Sequence, residues 1–213
     1  MSDERIGFPA EPHRDSSIVF GATTSFWLAV AGLIATFGQI SLGSFVRVSG
    51  AGLACPDWPL CHGQLIPPIN YYVLIEYSHR LAGSLVILLV AGLFLQTMLA
   101  VLMRRGDAQR VFLPATVAFG FLMVVAVLGG ITVLAELPPP VVTLHLATAE
   151  MVFAGLIVSA VVANGITRQP MASGEVPAAD IDHLKRWSIA VVISTMLVLL
   201  SGAFVVSEVA IAA

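Results

Sequence analysis

Leu74-Ile-Glu-Tyr-Ser-His-Arg-Leu-Ala-Gly-Ser-Leu-Val-Ile-Leu-Leu-Val-Ala-Gly-Leu-Phe-Leu-Gln-Thr-Met-Leu-Ala-Val-Leu-Met103 is the stretch from which the fold is read. Beyond Arg80 it carries no charge until Arg104. A helix needs roughly 20 apolar residues to cross the hydrocarbon core of a bilayer. Lipid offers the backbone no hydrogen-bond partner, so a spanning segment is a helix or part of a closed barrel. The apolar–polar alternation of a barrel strand is absent here. Four further runs of the same character lie at 18–46, 111–134, 141–164 and 187–209. The expected architecture is an all-α integral membrane protein, a four-helix transmembrane bundle plus a fifth transmembrane helix.

Composition leads to the same class. Hydrophobic residues make up 58% of the chain and charged ones only 11%, with a mean hydropathy of +0.94. A soluble domain is about 25% charged, so too little polar side chain is present to cover a soluble surface. The net charge of −3 leaves no footprint for nucleic acid.

Basic residues set the expected orientation. Arg104, Arg105 and Arg110 lie between the second and third runs, and Arg168, Lys185 and Arg186 between the fourth and fifth. Arg5 and Arg14 precede the first run, while the opposite side has only Arg47 and Arg80. The positive-inside rule then puts the N-terminus in the cytoplasm and the C-terminus outside, in a cell inner (plasma) membrane. The chain divides into a disordered cytoplasmic tail (1–17), a four-helix unit (18–164), a cytoplasmic loop (165–186) and the fifth helix (187–213). Within the four-helix unit, the loop 47–72 falls outside.

That outer loop holds both cysteines, in Cys55-Pro-Asp-Trp-Pro-Leu-Cys61. An oxidising compartment permits a disulfide, and Pro56 and Pro59 bend the chain back on itself. A disulfide is the preferred reading, and a redox task explains it better than stability does. A pair of unlinked thiols in an ordered loop is the plainer alternative. Zinc is a third, although zinc usually takes cysteines two to four residues apart with further ligands, and only His62 adjoins.

Of the five histidines, His13 and His183 fall in segments expected to be solvated. His79 and His145 lie near the starts of the second and fourth helices, which both run inward from the outer side. The two imidazoles are therefore expected at similar depth. Ionisable groups in lipid are costly and face the bundle interior, and haem iron commonly takes axial histidine. A haem gripped between His79 and His145 is the sharper reading; two histidines that hydrogen-bond neighbouring helices are the plainer one. Glu76 precedes His79 by three residues, so the two share a helical face. It is read as a proton acceptor or charge stabiliser, against a lip residue paired with Arg80 or Arg47. Arg80 itself suits a haem propionate.

The chain also repeats weakly. Leu42-Gly-Ser-Phe-Val-Arg-Val48 ends the first helix and Leu128-Gly-Gly-Ile-Thr-Val-Leu134 ends the third, each followed by an outer loop and a helix with an early histidine. Such glycines let a helix or a flat cofactor come close to the backbone. Leu200-Ser-Gly-Ala-Phe-Val-Val206 echoes the first of these in the fifth run, and the acids Glu150 and Glu208 lie in the fourth and fifth runs without an assigned partner.

At these residues the sequence resembles the haem A synthase family. Three segments carry the likeness: Gly43 through Cys61, Ile75-Glu-Tyr-Ser-His-Arg80, and Leu128-Gly-Gly-Ile-Thr-Val-Leu134 followed by Leu137-Pro-Pro-Pro-Val-Val-Thr-Leu-His145. It spans about 43–163, and the combination of motifs is specific where each alone is weak. The resemblance implies an oxidoreductase of cytochrome oxidase assembly that oxidises a ring methyl of haem O to the formyl group of haem A. It implies His79 and His145 as axial ligands of the haem iron, Glu76 as the catalytic carboxylate and Cys55–Cys61 as a redox-linked disulfide. Typical members have two similar four-helix halves, and the likeness here is to the substrate-side half. The other half is then expected from a second copy of the chain, as a homo-oligomer, or from a separate haem A synthase-like chain. Haem O synthase is a pathway partner by chemistry. The alternative function is an electron-transfer subunit of a respiratory membrane complex, holding haem b between the two histidines without synthase activity.

Overall fold

The computed structural model describes residues 16–104 and 106–167. The expected tail before Ser16, the loop beyond Thr167 and the fifth helix lie outside the described residues. Four long helices make up the fold of the described residues: α1 (Ser16–Val48), α2 (Tyr71–Leu102), α3 (Phe112–Leu134) and α4 (Pro139–Thr167), with a short 3-10 turn at Gly106–Val111 before α3. All four are long and apolar enough to cross a membrane. Among the described residues the only extended pairing is an isolated bridge between Cys61 and Gln64.

Helix ends follow local chemistry more closely than the apolar runs do. α2 begins at Tyr71, ahead of its apolar run, because Asn70 caps it: its side-chain oxygen accepts the Val73 N–H at 3.0 Å. α4 opens on Pro139 and Pro140, where a missing N–H costs nothing and a fixed φ favours the first turn. α3 stops at a reversal in which Glu136 and Leu137 both take positive φ, and the Leu137 N–H reaches back to the Thr132 carbonyl at 2.8 Å.

The helices close in cyclic order. α1 packs on α2, α2 on α3, α3 on α4 and α4 on α1, while the diagonal pairs do not meet. α2 and α4, the two helices with an interior histidine, are thus diagonal partners running the same way. Large apolar side chains such as Trp27, Leu88, Leu95 and Val161 point outward, and Ala29, Ala115, Ala118, Ser25, Thr97 and Ser159 fill the interior. In lipid, helices gain little from burying leucine, so small residues that allow close approach decide the contacts. At the tightest crossing, a Cβ on Gly155 of α4 would lie 2.9 Å from Ala118 Cβ of α3. Polar contacts pin α1 to α2: Ser25 Oγ donates to Gln96 Oε1 at 2.8 Å, and Gln96 Nε2 donates to the Gly21 carbonyl at 2.9 Å.

Candidate functional site

His79 lies eight residues into α2 and His145 six into α4, so at about 1.5 Å per residue they sit roughly 12 and 9 Å from the same end of the bundle. Both line one cavity of about 110 Å³, together with Thr36, Gln39 and Ile40 of α1, Val86 of α2, and Leu122 and Val125 of α3. All four helices contribute to its wall, and most of the wall is apolar. Ile87 lines it too and is 37% exposed, so the cavity reaches the outer surface of α2.

Each imidazole is seated against a glycine. A Cβ on Gly43 would lie 2.9 Å from His79 Cε1, and one on Gly129 would lie 3.1 Å from His145 Cε1. These are the glycines of the repeated Leu42-Gly and Leu128-Gly pairs, so the weak repeat marks equivalent ring seats. His145 Nδ1 donates to the Val125 carbonyl at 3.0 Å, which leaves Nε2 as the free nitrogen. His79 Nε2 lies 3.3 Å from Gln39 Nε2, while His79 Nδ1, Gln39 Oε1 and Thr36 Oγ1 are buried without a hydrogen-bond partner.

A second constellation sits at the mouth. Cys55 and Cys61 are joined by a disulfide, with their Cα atoms 4.7 Å apart, and both are fully buried. Of the readings open at the sequence level, the disulfide is the one present. Glu76, only 3% exposed, accepts the Cys55 N–H on Oε2 at 2.7 Å and an Arg80 N–H on Oε1 at 2.6 Å. Arg80 also donates to the carbonyls of Cys55 at 2.8 Å, Asp57 at 2.6 Å and Leu60. Its two terminal nitrogens are thereby engaged with the loop and Glu76; only Nε takes no part in these contacts. The Asp57 carboxylate accepts the N–H groups of His62 at 2.5 Å and Gly63 at 2.7 Å. The Gly63 N–H foremost, with that of His62 and the nearby Arg80 charge, holds the Asp57 carboxyl below its ordinary range despite an opposing desolvation. Two apolar contacts press the loop onto the second helix pair. The Trp58 indole lies where a Gly130 Cβ would be, at 2.9 Å, and Leu137 fills the space beside Gly52 at 3.1 Å.

His79 and His145 thus share one chamber, whereas Glu76, one turn of α2 nearer the Cys55–Cys61 loop, joins Arg80, Cys55 and Cys61 in a separate clasp. Glu76 and Arg80 are not among the cavity-lining residues. Glu150 is half-buried on α4, also away from the lining. Sequence reasoning passed over Gln39 and Trp58. An amide four residues before a seat glycine, in an otherwise apolar helix, was the available signal for the first; nothing in the sequence ties Trp58 to Gly130.

Fold and site define a polytopic membrane protein whose paired interior histidines lie beneath a disulfide-closed loop. The family model of the COX15-CtaA cytochrome oxidase assembly proteins matches residues 26–72 and 69–213, and the chain belongs to that family. It is 30% identical over 189 residues to the haem A synthase of Exiguobacterium sibiricum, covering 88% of this chain and 58% of that protein. The haem A synthase of Lysinibacillus sphaericus is 31% identical over 182 residues, covering 84% of this chain and 57% of the relative. The chain therefore spans little more than half the length of these relatives. It is also similar to the protohaem IX farnesyltransferase of Halobacterium salinarum, at 30% identity over 139 residues, 65% of this chain and 29% of that enzyme.

Proposed function

We propose that this chain is the haem-receiving half of a haem A synthase, oxidising a methyl group of haem O to the formyl group of haem A. The observation that carries the reading is the pair His79 and His145 facing one apolar chamber in a member of this family. In this reading the two imidazoles would hold the haem iron. The residues suit that group: His145 presents a free Nε2 by virtue of its Nδ1 bond to Val125, and metal-bound histidines commonly keep such an outer partner. The glycine seats hold both rings without steric cost. A porphyrin is broader than the cavity, and the opening at Ile87 is the side through which it would extend.

Bound haem supplies a conjugated macrocycle whose methyl substituent is the reacting group. Everything else falls to the chain. His79 and His145 fix the macrocycle's depth. Glu76 is the carboxylate assigned to accept a proton as the methyl carbon is oxidised, and its bond to Cys55 links that proton site to the disulfide. Cys55–Cys61 is assigned to exchange electrons at the outer face, and Arg80 to hold the clasp, with Nε available to a propionate. A second half is proposed to complete the enzyme, since the relatives are longer than the matched region. Haem O synthase is the proposed supplier of substrate; that a farnesyltransferase of protohaem contains a stretch similar to this chain supports the two working together. No feature of the relatives favours the plain haem b electron-transfer subunit.

The test is co-expression with haem O synthase in a host lacking haem A, followed by haem extraction and mass analysis. Haem A or its hydroxylated precursor is expected with wild type and absent with Glu76→Ala. Haem O or haem b alone with wild type would reject synthase activity for the single chain. No haem at all would reject the ligand assignment.

A further inference from the structure

Gln39 and the Val125 carbonyl occupy equivalent places in the two helix pairs. Gly43 and Gly129 are the ring seats of His79 and His145, and each polar partner stands four residues before its glycine. In the second pair the partner is a backbone carbonyl within α3, which has no rotatable bond of its own. In the first it is a side-chain amide. Gln39 Nε2 lies 3.3 Å from His79 Nε2, while Gln39 Oε1 and His79 Nδ1 are buried and unpartnered. A buried polar group without a partner is costly, and these two are an acceptor and a donor on planar groups that already face each other through Gln39 Nε2 and His79 Nε2. A half-turn of both planar groups about their last bonds would bring the amide oxygen and Nδ1 toward each other. Gly83, one turn after His79, leaves room for the amide here, since a Cβ would come within 3.1 Å of Gln39 Nε2.

We infer that Gln39 is a positioning residue for His79, holding its Nδ1 as the Val125 carbonyl holds that of His145, and that this rotatable partner makes His79 the more readily released ligand. The inference rests on the haem-ligand reading above. With the ring turned to present Nδ1 and the amide oxygen toward it, the amide accepts the Nδ1 proton and leaves Nε2 for the iron. With its nitrogen toward the ring, as now, it donates to the lone pair that the iron needs. The amide and the ring, turning together, thereby set whether His79 is ready to ligate, a property that suits a haem that arrives as substrate and leaves as product.

The test uses the full chain in detergent, titrated with haemin and then reduced under carbon monoxide. Wild type is expected to give a six-coordinate, low-spin spectrum. Gln39→Leu is expected to shift it toward the high-spin, carbon-monoxide-reactive form seen with His79→Ala, with haemin affinity lower by roughly tenfold or more. Gln39→Glu, which keeps an acceptor, restores the low-spin form. Gly83→Ala, which crowds the amide without altering it, reproduces the shift. A Gln39→Leu protein as low-spin and unreactive as wild type overturns the inference, as does failure of Gln39→Glu to restore the spectrum. If wild type takes up no haem, or if His79→Ala and His145→Ala change nothing, the ligand assignment itself falls and this inference falls with it.

Discussion

Glu76 accepts the backbone N–H of Cys55 at 2.7 Å, so the acid buried beneath the Cys55–Cys61 loop is fastened to the disulfide that closes it. Arg80 completes the clasp by donating to both Glu76 and the Cys55 carbonyl. Carboxylate, guanidinium and disulfide therefore move together or not at all.

Removing the Glu76 charge or the Arg80 fork should open the clasp. Breaking a buried ion pair from one side costs about 3–5 kcal/mol, and the Glu76 and Arg80 side chains are only 4% and 14% exposed. Glu76→Ala is expected to lower the unfolding midpoint in detergent by a corresponding amount. Arg80→Lys loses the fork that reaches three loop carbonyls, and Cys55–Cys61 should be reduced faster by added thiol, read as alkylation mass shifts over time. Unchanged reduction kinetics would count against the clasp.

The glycine seats predict a graded loss of haem. A methyl at Gly43 meets His79 at 2.9 Å and one at Gly129 meets His145 at 3.1 Å, while one at Gly38 meets nothing within 4 Å. Gly43→Ala should cut haem content most, Gly129→Ala less, and Gly38→Ala not at all. Haem-to-protein ratios of the three purified variants check this order.

Docking of the loop depends on Trp58 lying flat on Gly130. Gly130→Ala places a methyl 2.9 Å from the indole and should lift the loop. Protease cleavage between Cys55 and Cys61 is expected to quicken in that variant and in Trp58→Ala. Equal rates in wild type and both variants would show that the loop is held without this contact.

Acid should loosen the loop through Asp57. Its carboxyl lies below the ordinary range chiefly because the Gly63 N–H binds the ionised form. A depressed folded value means the contribution is full above the unfolded value of about 3.9 and is lost as pH falls through the lower folded one. The loop's protection from protease should hold through pH 5 and fall only below about pH 4. Asp57→Asn should remove that step, leaving a loop whose cleavage rate no longer follows pH in this range.

Membrane class and helix number in the described region could be read from charge-free length alone, because lipid leaves the backbone few choices. The early positions of His79 and His145, and the three-residue spacing of Glu76 and His79, placed the first pair in one interior and the second on one face of α2. Those relations are local, set by the 3.6-residue turn and the direction of each span. Glu76 and Arg80 were legible as special residues, yet both are turned toward the Cys55–Cys61 loop, a choice made by carbonyls folded over from elsewhere in the chain. The orientation across the membrane and the role of the fifth apolar run rest on sequence alone.

What the sequence by itself determined was a set of apolar lengths, two glycine-bearing helix ends, two early helix histidines and a cysteine loop. All of these are properties of neighbours along the chain. Only the tertiary structure decided that α2 and α4 stand diagonally, that Gln39 meets His79 while the Val125 carbonyl meets His145, and that Trp58 rests on Gly130. Those contacts join residues 20 or more positions apart. They arise because small residues let four helices close around a shared cavity, and no local periodicity records which side chains that closure brings face to face.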